Sequence, residues 1–132
     1  MSRTRRRLRA SPPGSTSWVY IDDDRSLVVE FYDHGKEAEA SFGHDVAFLL
    51  RVAPDRKRPL LDLLRTSPAS PPRRKPLRAT SLRRLIHRGN EETLDDLDLL
   101  DELEERFGHY AEVRKWFDAN GVPYEHEFDS WA

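Results

Sequence analysis

Alternation of apolar and polar residues is strongest between positions 18 and 32. Residues 18–21 (Trp-Val-Tyr-Ile) and residues 27–32 (Leu-Val-Val-Glu-Phe-Tyr) are rich in aromatic and β-branched side chains, which favour strands. Residues 22–26 between them contain three aspartates, and Asp is suited to turns. The pattern predicts a β-hairpin whose second strand has alternate residues, starting at Leu27, on one face.

Two further runs have the character of strands. Asp45–Val52 is apolar on both faces, a pattern typical of a strand that is covered on both sides or central in the sheet. A helix is the alternative, but the flanking Gly43 and Pro54 favour a strand. Tyr124–Phe128 alternates again and predicts a short final strand, whose place in the sheet the sequence leaves open.

Helical spacing of apolar residues is clearest after residue 93, where they recur every three or four positions. The two predicted apolar stripes consist of Leu94, Leu97, Leu100, Leu103 and Phe107, and of Tyr110, Val113, Trp116 and Phe117. Asn90 or Thr93 is expected to cap the first of these helices, and Asn120-Gly121 to end the second. Shorter helices are predicted at Lys36–Phe42, Pro59–Arg65 and Leu82–His87.

Together these elements predict one α+β domain with a three- to four-stranded, mainly antiparallel sheet packed against amphipathic helices. We place the domain at residues 18–132, which is an ordinary size for a single core. A stretch rich in proline and arginine predicts a flexible loop at about 67–80. Residues 1–17 contain five arginines followed by Ser-Pro-Pro-Gly-Ser and predict a disordered basic arm.

Composition excludes several classes of protein. The chain has no cysteine, which excludes disulfides, thiolate catalysis and cysteine-based zinc sites. The longest apolar run, Val46–Leu50, is far too short to cross a membrane. The arginine-rich N-terminus lacks the apolar segment of a secretory signal. We therefore expect a cytoplasmic protein that does not associate with membranes.

Charge is distributed in four blocks that the net charge of −2 conceals. Residues 1–13 contain five arginines and no acid, whereas residues 14–50 contain eight acids and two basic residues. Residues 51–88 contain twelve basic residues and two acids, and residues 89–132 contain fourteen acids and three basic residues. Like-charge blocks are typical of solvated faces, disordered arms or surfaces that face a partner.

The acidic helix after residue 93 is the leading candidate for a functional surface. Its polar side carries Asp95, Asp96, Asp98, Asp101, Glu102 and Glu105. An acidic field attracts a basic partner and accelerates their encounter. The pattern therefore predicts that this helix and the hairpin bind a basic protein, whose identity the sequence does not give. The alternative interpretations are a solvated helix face or contacts with the chain's own basic segments.

A cysteine-free α+β domain with an acidic surface and no catalytic motif resembles, in type, the small bacterial immunity proteins. The resemblance involves no defined motif and assigns no residue. It implies a non-enzymatic protein that neutralises a basic partner. No cofactor is expected, and no small-molecule ligand is specified.

The first alternative function is association with nucleic acid, because arginine-rich segments contact phosphates. The candidate residues are Arg3, Arg5, Arg6, Arg7, Arg73, Arg74 and Lys75. However, the isoelectric point of about 6.2 is not that of a dedicated nucleic-acid binder. No aromatic residues are interleaved with the arginines to stack on bases.

The second alternative is a metal-dependent enzyme. Asp33, His34, His44 and Asp45 bracket the predicted helix Lys36–Phe42, and carboxylates and imidazoles are metal ligands. Spacing this loose is common by chance, so the absence of a specific motif favours ordinary loop histidines.

Overall fold

The computed structural model describes residues 5–12, 14–33, 46–73 and 94–130. These residues form a five-stranded antiparallel sheet with three α-helices packed against it, which confirms the predicted α+β class. The strands are β1 (Arg6–Leu8), β2 (Ser15–Ile21), β3 (Leu27–Asp33), β4 (Val46–Val52) and β5 (Glu125–Ser130). The helices are α1 (Lys57–Thr66), α2 (Leu94–Arg106) and α3 (Tyr110–Ala119).

The sheet is a meander, since each strand pairs with its neighbour in the chain in the order β1-β2-β3-β4-β5. The predicted hairpin is formed by β2 and β3, whose loop is closed by hydrogen bonds between Asp22 and Ser26 and from Arg25 to Asp22. Arg25 has a φ of 73°. This left-handed conformation occurs here in the turn at the tip of the hairpin. The strand predicted over Asp45–Val52 is confirmed from Val46 to Val52 as β4, and Asp45 lies outside the described residues.

Strand β1 lies within the segment that was expected to be a disordered arm, residues 1–17. Arg6–Leu8 instead pairs with Ser17–Val19 of β2, and β2 itself begins at Ser15 rather than Trp18. The local sequence does not explain why this segment forms a strand, because three residues are too few to be stable on their own. Tertiary contacts hold the strand in place, since Leu8 is fully buried in the core and Arg6 forms an ion pair with α2. This extra strand raises the count to five.

The main core lies between one face of the sheet and the three helices. Alternate residues of the hairpin, including Val19, Leu27 and Val29, lie there in one cluster with part of the predicted stripe, namely Leu100, Leu103 and Phe107, as the two-residue period of a strand requires. Leu99 is buried as well. Helix α2 is covered on more than one side because β1, β2 and α1 all contact it.

Helix α3 ends as predicted at Asn120-Gly121. Gly121 has a φ of 67°, and the backbone N–H of Val122 donates to the carbonyl of Phe117 at 2.9 Å. This is the Schellman arrangement, in which a left-handed glycine satisfies carbonyls at the end of a helix. The turn directs the chain back to the sheet, where β5 pairs with β4.

Several predictions concern residues outside the described ranges. These are the helices at Lys36–Phe42 and Leu82–His87, the capping residues Asn90 and Thr93, and residues 74–80 of the predicted loop. The described part of that loop, residues 67–73, contacts the helices: Trp116 Nε1 donates to the carbonyl of Ala69 at 3.2 Å. Arg106 donates to the carbonyl of Pro71 at 2.7 Å. No helix in the described residues is long and apolar enough to cross a membrane.

Candidate functional site

The acidic side of α2, predicted to face a partner, contacts basic residues of the same chain. The ion pairs are Asp95–Arg58, Asp96–Lys57 and Asp98–Arg65 at 2.8, 2.7 and 3.2 Å, and Asp101–Arg6. Asp95 is exposed, whereas Asp96, Asp98 and Asp101 are buried. A partner could reach these buried carboxylates only by displacing the protein's own arginines and lysine.

Glu102 lies at the centre of this network and is buried. It accepts hydrogen bonds from Arg73 at 2.8 Å and from Arg106 at 2.7 Å, and Arg65 Nε lies 3.4 Å away. Burial alone would raise the pKa of Glu102, but these arginine hydrogen bonds outweigh burial and hold the pKa below its usual range. Glu102 therefore links α1, α2 and the segment after α1. Glu105, the last predicted contact residue, is half-buried.

The arginines predicted to contact nucleic acid are divided between internal contacts and the surface. Arg6 and Arg73 are paired with acids of α2, and the Arg6 side chain is buried. Arg5 and Arg7 are exposed on either side of Arg6. The other candidates, Arg3, Arg74 and Lys75, lie outside the described residues. The described basic residues therefore do not form one continuous basic surface.

Tyr20 is the centre of a polar cluster on the sheet face opposite the helices. Its hydroxyl donates to Glu30 at 3.2 Å, and the Arg5 guanidinium lies 4.5 Å from the centre of its ring. Burial, reinforced by the nearby Glu30 carboxylate, raises the pKa of Tyr20 to about 12. The hydroxyl is therefore a donor with a structural role.

The predicted metal ligands fall mostly outside the described ranges. Asp33 is the last residue of β3 and is half-buried, whereas His34, His44 and Asp45 are outside the described residues. Within residues 5–12, 14–33, 46–73 and 94–130, no group of three or more His, Cys, Asp or Glu could hold a metal ion.

Arg51 organises the end of the sheet where the hairpin loop lies. It donates to Asp22 at 2.9 Å and to Glu127 of β5 at 2.9 Å, and Asp24 lies 3.5 Å away. The hydrogen bond to Glu127 raises the pKa of Arg51 above its usual value. Asp24 also accepts a hydrogen bond from the backbone N–H of Ser26, which lowers the pKa of its carboxyl. One cation thus joins the acidic hairpin to the acidic strand β5.

A pocket of about 330 Å³ opens beside Arg51. Its walls carry two basic side chains, Arg51 and Arg56, and two acidic ones, Asp24 and Glu125. Because both signs of charge are present, the pocket has no clear preference for an anion or a cation. We assign it no ligand.

A row of phenylalanines crosses the helix-covered face of the sheet and reaches solvent at β5. Phe31, Phe48 and Phe128 are paired directly across β3, β4 and β5, with ring centres 6.2 and 5.0 Å apart. Tyr110 of α3 packs on Phe31 at 5.7 Å. Phe128 is 55% exposed and is the one exposed large hydrophobic side chain among the described residues. The apolar layer is therefore open at this edge.

The two faces of β5 differ in chemistry. His126 stacks on Phe48 at 6.0 Å and its Nε2 lies 3.1 Å from the Tyr110 hydroxyl, so His126 lies on the same face as Phe128. Glu125 and Glu127 lie on the opposite face, since side chains alternate along a strand. In the described residues β5 is a terminal strand of the sheet. Its outer edge therefore combines open backbone groups with an apolar face and an acidic face.

Comparison of the chain with protein families, curated proteins and solved structures finds no match.

The β5 edge was not among the predicted site residues, although its signal is present in the sequence. The residues Glu-His-Glu-Phe alternate in polarity, which predicted the strand itself. The alternation does not predict that the strand is terminal in the sheet. That position depends on pairing with β4, which lies far earlier in the chain.

Proposed function

We propose that this protein is a non-enzymatic binding module that engages a basic protein partner through β5 and the neighbouring hairpin loop. The observation that carries the proposal is the exposed Phe128 on a terminal strand that also bears exposed Glu125. Exposed aromatic residues surrounded by polar groups are typical of interaction sites. The acidic surroundings favour a partner of opposite charge.

The acidic loop extends the same surface. Asp22 and Asp24 lie beside Glu127 because all three contact Arg51. Among the described residues, four acids (Asp22, Asp24, Glu125 and Glu127) lie near two basic side chains, Arg51 and Arg56, so this end of the sheet as a whole is more acidic than the pocket within it. This proposal keeps the acidic hairpin of the sequence-based hypothesis and replaces α2 with β5 as the second part of the surface.

An immunity or antitoxin role is one form of this function, because neutralising a basic toxin requires only a complementary surface and no catalysis. We do not advance the nucleic-acid alternative, since Arg6 and Arg73 are engaged by acids of α2.

The experiment is selection from a random peptide library displayed on phage, with the full chain as bait. We expect enrichment of lysine- and arginine-rich peptides by the unmodified protein. Glu125→Lys should abolish that enrichment. Asp62→Lys is the matched control, because Asp62 is also an exposed acid but lies on α1 in an exposed pair with Arg58, which contributes little to stability.

Two results would contradict the proposed function. One is a library that yields no basic peptides. The other is enrichment that Glu125→Lys and Asp62→Lys reduce equally, which would indicate attraction to the overall charge of the protein.

A further inference from the structure

We infer that β5 binds its partner by strand addition: an extended segment with alternating basic and apolar residues pairs along the outer edge of the sheet. This inference rests on the proposed function and specifies the conformation and sequence pattern of the partner. It follows from the geometry of β5.

The first step is that, in the part of the chain that the structure describes, no strand pairs with the outer edge of β5. A terminal strand presents alternate backbone N–H and C=O groups away from the sheet, and another chain can pair with them. β5 has six residues, which correspond to about 20 Å of strand. That length is comparable to the strands that bind peptides by adding them to a sheet edge.

The second step is the alternation of side chains. A residue of the added strand opposite Phe128 or His126 would lie on the helix-covered face, where it would extend the aromatic row. A residue opposite Glu125 or Glu127 would lie on the other face, beside a carboxylate. Cross-strand pairs stabilise a sheet when apolar residues meet and when opposite charges meet. The edge therefore selects a segment with a basic residue at every second position and an apolar residue between.

The third step concerns a second copy of the chain. Pairing β5 with β5 would bring together two strands that each carry three acids and no lysine or arginine, and like charges placed opposite each other destabilise a sheet. Pairing β5 with the other terminal strand, β1, could use only the three residues Arg6–Leu8. Arg6 and Leu8 are already buried against α2 and the core. A separate basic segment can pair with the backbone groups of the β5 edge and neutralise its acids better than either arrangement.

The test uses two synthetic peptides of about ten residues, a usual strand length, with identical composition. One alternates lysine and valine, and the other has all its lysines followed by all its valines. Both carry the same charge, but only the first can present a basic face and an apolar face as a strand. We expect the alternating peptide to bind at least about tenfold more tightly, as measured by calorimetry.

Two further measurements identify the site. Phe128→Ala should weaken binding of the alternating peptide about tenfold and leave the block peptide unchanged, since only the former places valines against Phe128. Hydrogen exchange should show increased protection of β5 backbone amides in the presence of the alternating peptide. Circular dichroism and the unfolding midpoint of Phe128→Ala verify that the variant is folded.

The possible outcomes separate the two proposals. Equal binding of both peptides, lost in Glu125→Lys, would overturn strand addition but support a basic partner. Failure of both peptides to bind, together with an unproductive library selection, would overturn both. Self-association in solution that Phe128→Ala abolishes would assign the edge to a second copy of the chain and overturn the inference.

Discussion

Helix α2 and strand β5 are both rich in acids, yet the acids lie in opposite environments. Asp96, Asp101 and Glu102 of α2 are buried and contact basic side chains from elsewhere in the chain. Glu125 of β5 is exposed, and it lies three residues from the exposed Phe128. A run of like charge thus indicates a surface that binds opposite charges. It does not indicate whether those opposite charges belong to the same chain or to a partner.

The difference predicts two kinds of mutational effect. Changes in the ion pairs of α2 should act on the free energy of unfolding, because buried charges that lose a partner are costly. Changes on β5 should act on binding and leave stability nearly unchanged. The following comparisons test this division.

The largest effect is expected at Arg6. Arg6→Ala should lower the free energy of unfolding by about 3 kcal/mol, because it leaves Asp101 buried without this cation and frees β1 from α2. Arg7→Ala is the matched control, since Arg7 is exposed on the same strand, and it should change stability by no more than about 0.5 kcal/mol. Urea denaturation of both variants gives the comparison. Equal effects would mean that Arg6 does not anchor β1.

A smaller effect that depends on pH is expected at Glu102. The pKa of Glu102 is lowered in the folded protein by its arginine partners, so the folded state favours the ionised form. The resulting stability is present above the ordinary glutamate pKa and is lost as the pH falls through the lower folded pKa. Glu102→Gln should cost about 2 kcal/mol at neutral pH.

The pH series provides the control. The difference in unfolding free energy between the unmodified protein and Glu102→Gln should shrink as the solution is acidified. Glu125→Gln, which alters an exposed carboxylate on β5, should show almost no difference at any pH. A difference at Glu102 that does not change with pH would show that its charge is irrelevant to stability.

The smallest effect on stability is expected for Phe128→Ala. Because Phe128 is more than half exposed, little buried apolar area is lost, and the free energy of unfolding should fall by no more than about 1 kcal/mol. Phe48→Ala is the contrast, since Phe48 lies between Phe31 and Phe128 in the row and should cost about 3 kcal/mol. Thermal unfolding of both variants measures this. Equal losses of unfolding free energy would imply that Phe128 stabilises the core and that its main role is not to bind a partner.

Much of the fold follows from local patterns in the sequence. The hairpin from Trp18 to Tyr32, strand β4 and the end of α3 at Gly121 each depend on neighbouring residues, and all three were predicted. Strand β1 was not, because an arginine-rich segment has no local preference for a strand. Its order comes from Leu8 in the core and from Arg6 against α2, both of which are contacts distant in sequence.

The candidate site was harder to predict for the same reason. The charge blocks left open whether each surface is solvated, contacts the chain itself or faces a partner. They could not show that Lys57, Arg58 and Arg65 of α1 lie against α2, since that depends on how two helices pack. Likewise, the sequence does not distinguish Phe128 from a buried aromatic residue of a strand. Its exposure follows from the strand order, which places β5 at an edge of the sheet.

The contact between Arg6 and Asp101 has a consequence for the order of folding, because 95 positions separate the two residues in the chain. During translation Arg6 leaves the ribosome before Asp101 does, because it precedes Asp101 in the chain. Contacts between such distant positions form late. We therefore expect the β2–β3 hairpin to form first and β1 to join it only when α2 is complete, so that Arg6 of the nascent protein lacks its contact with Asp101 until α2 has been made.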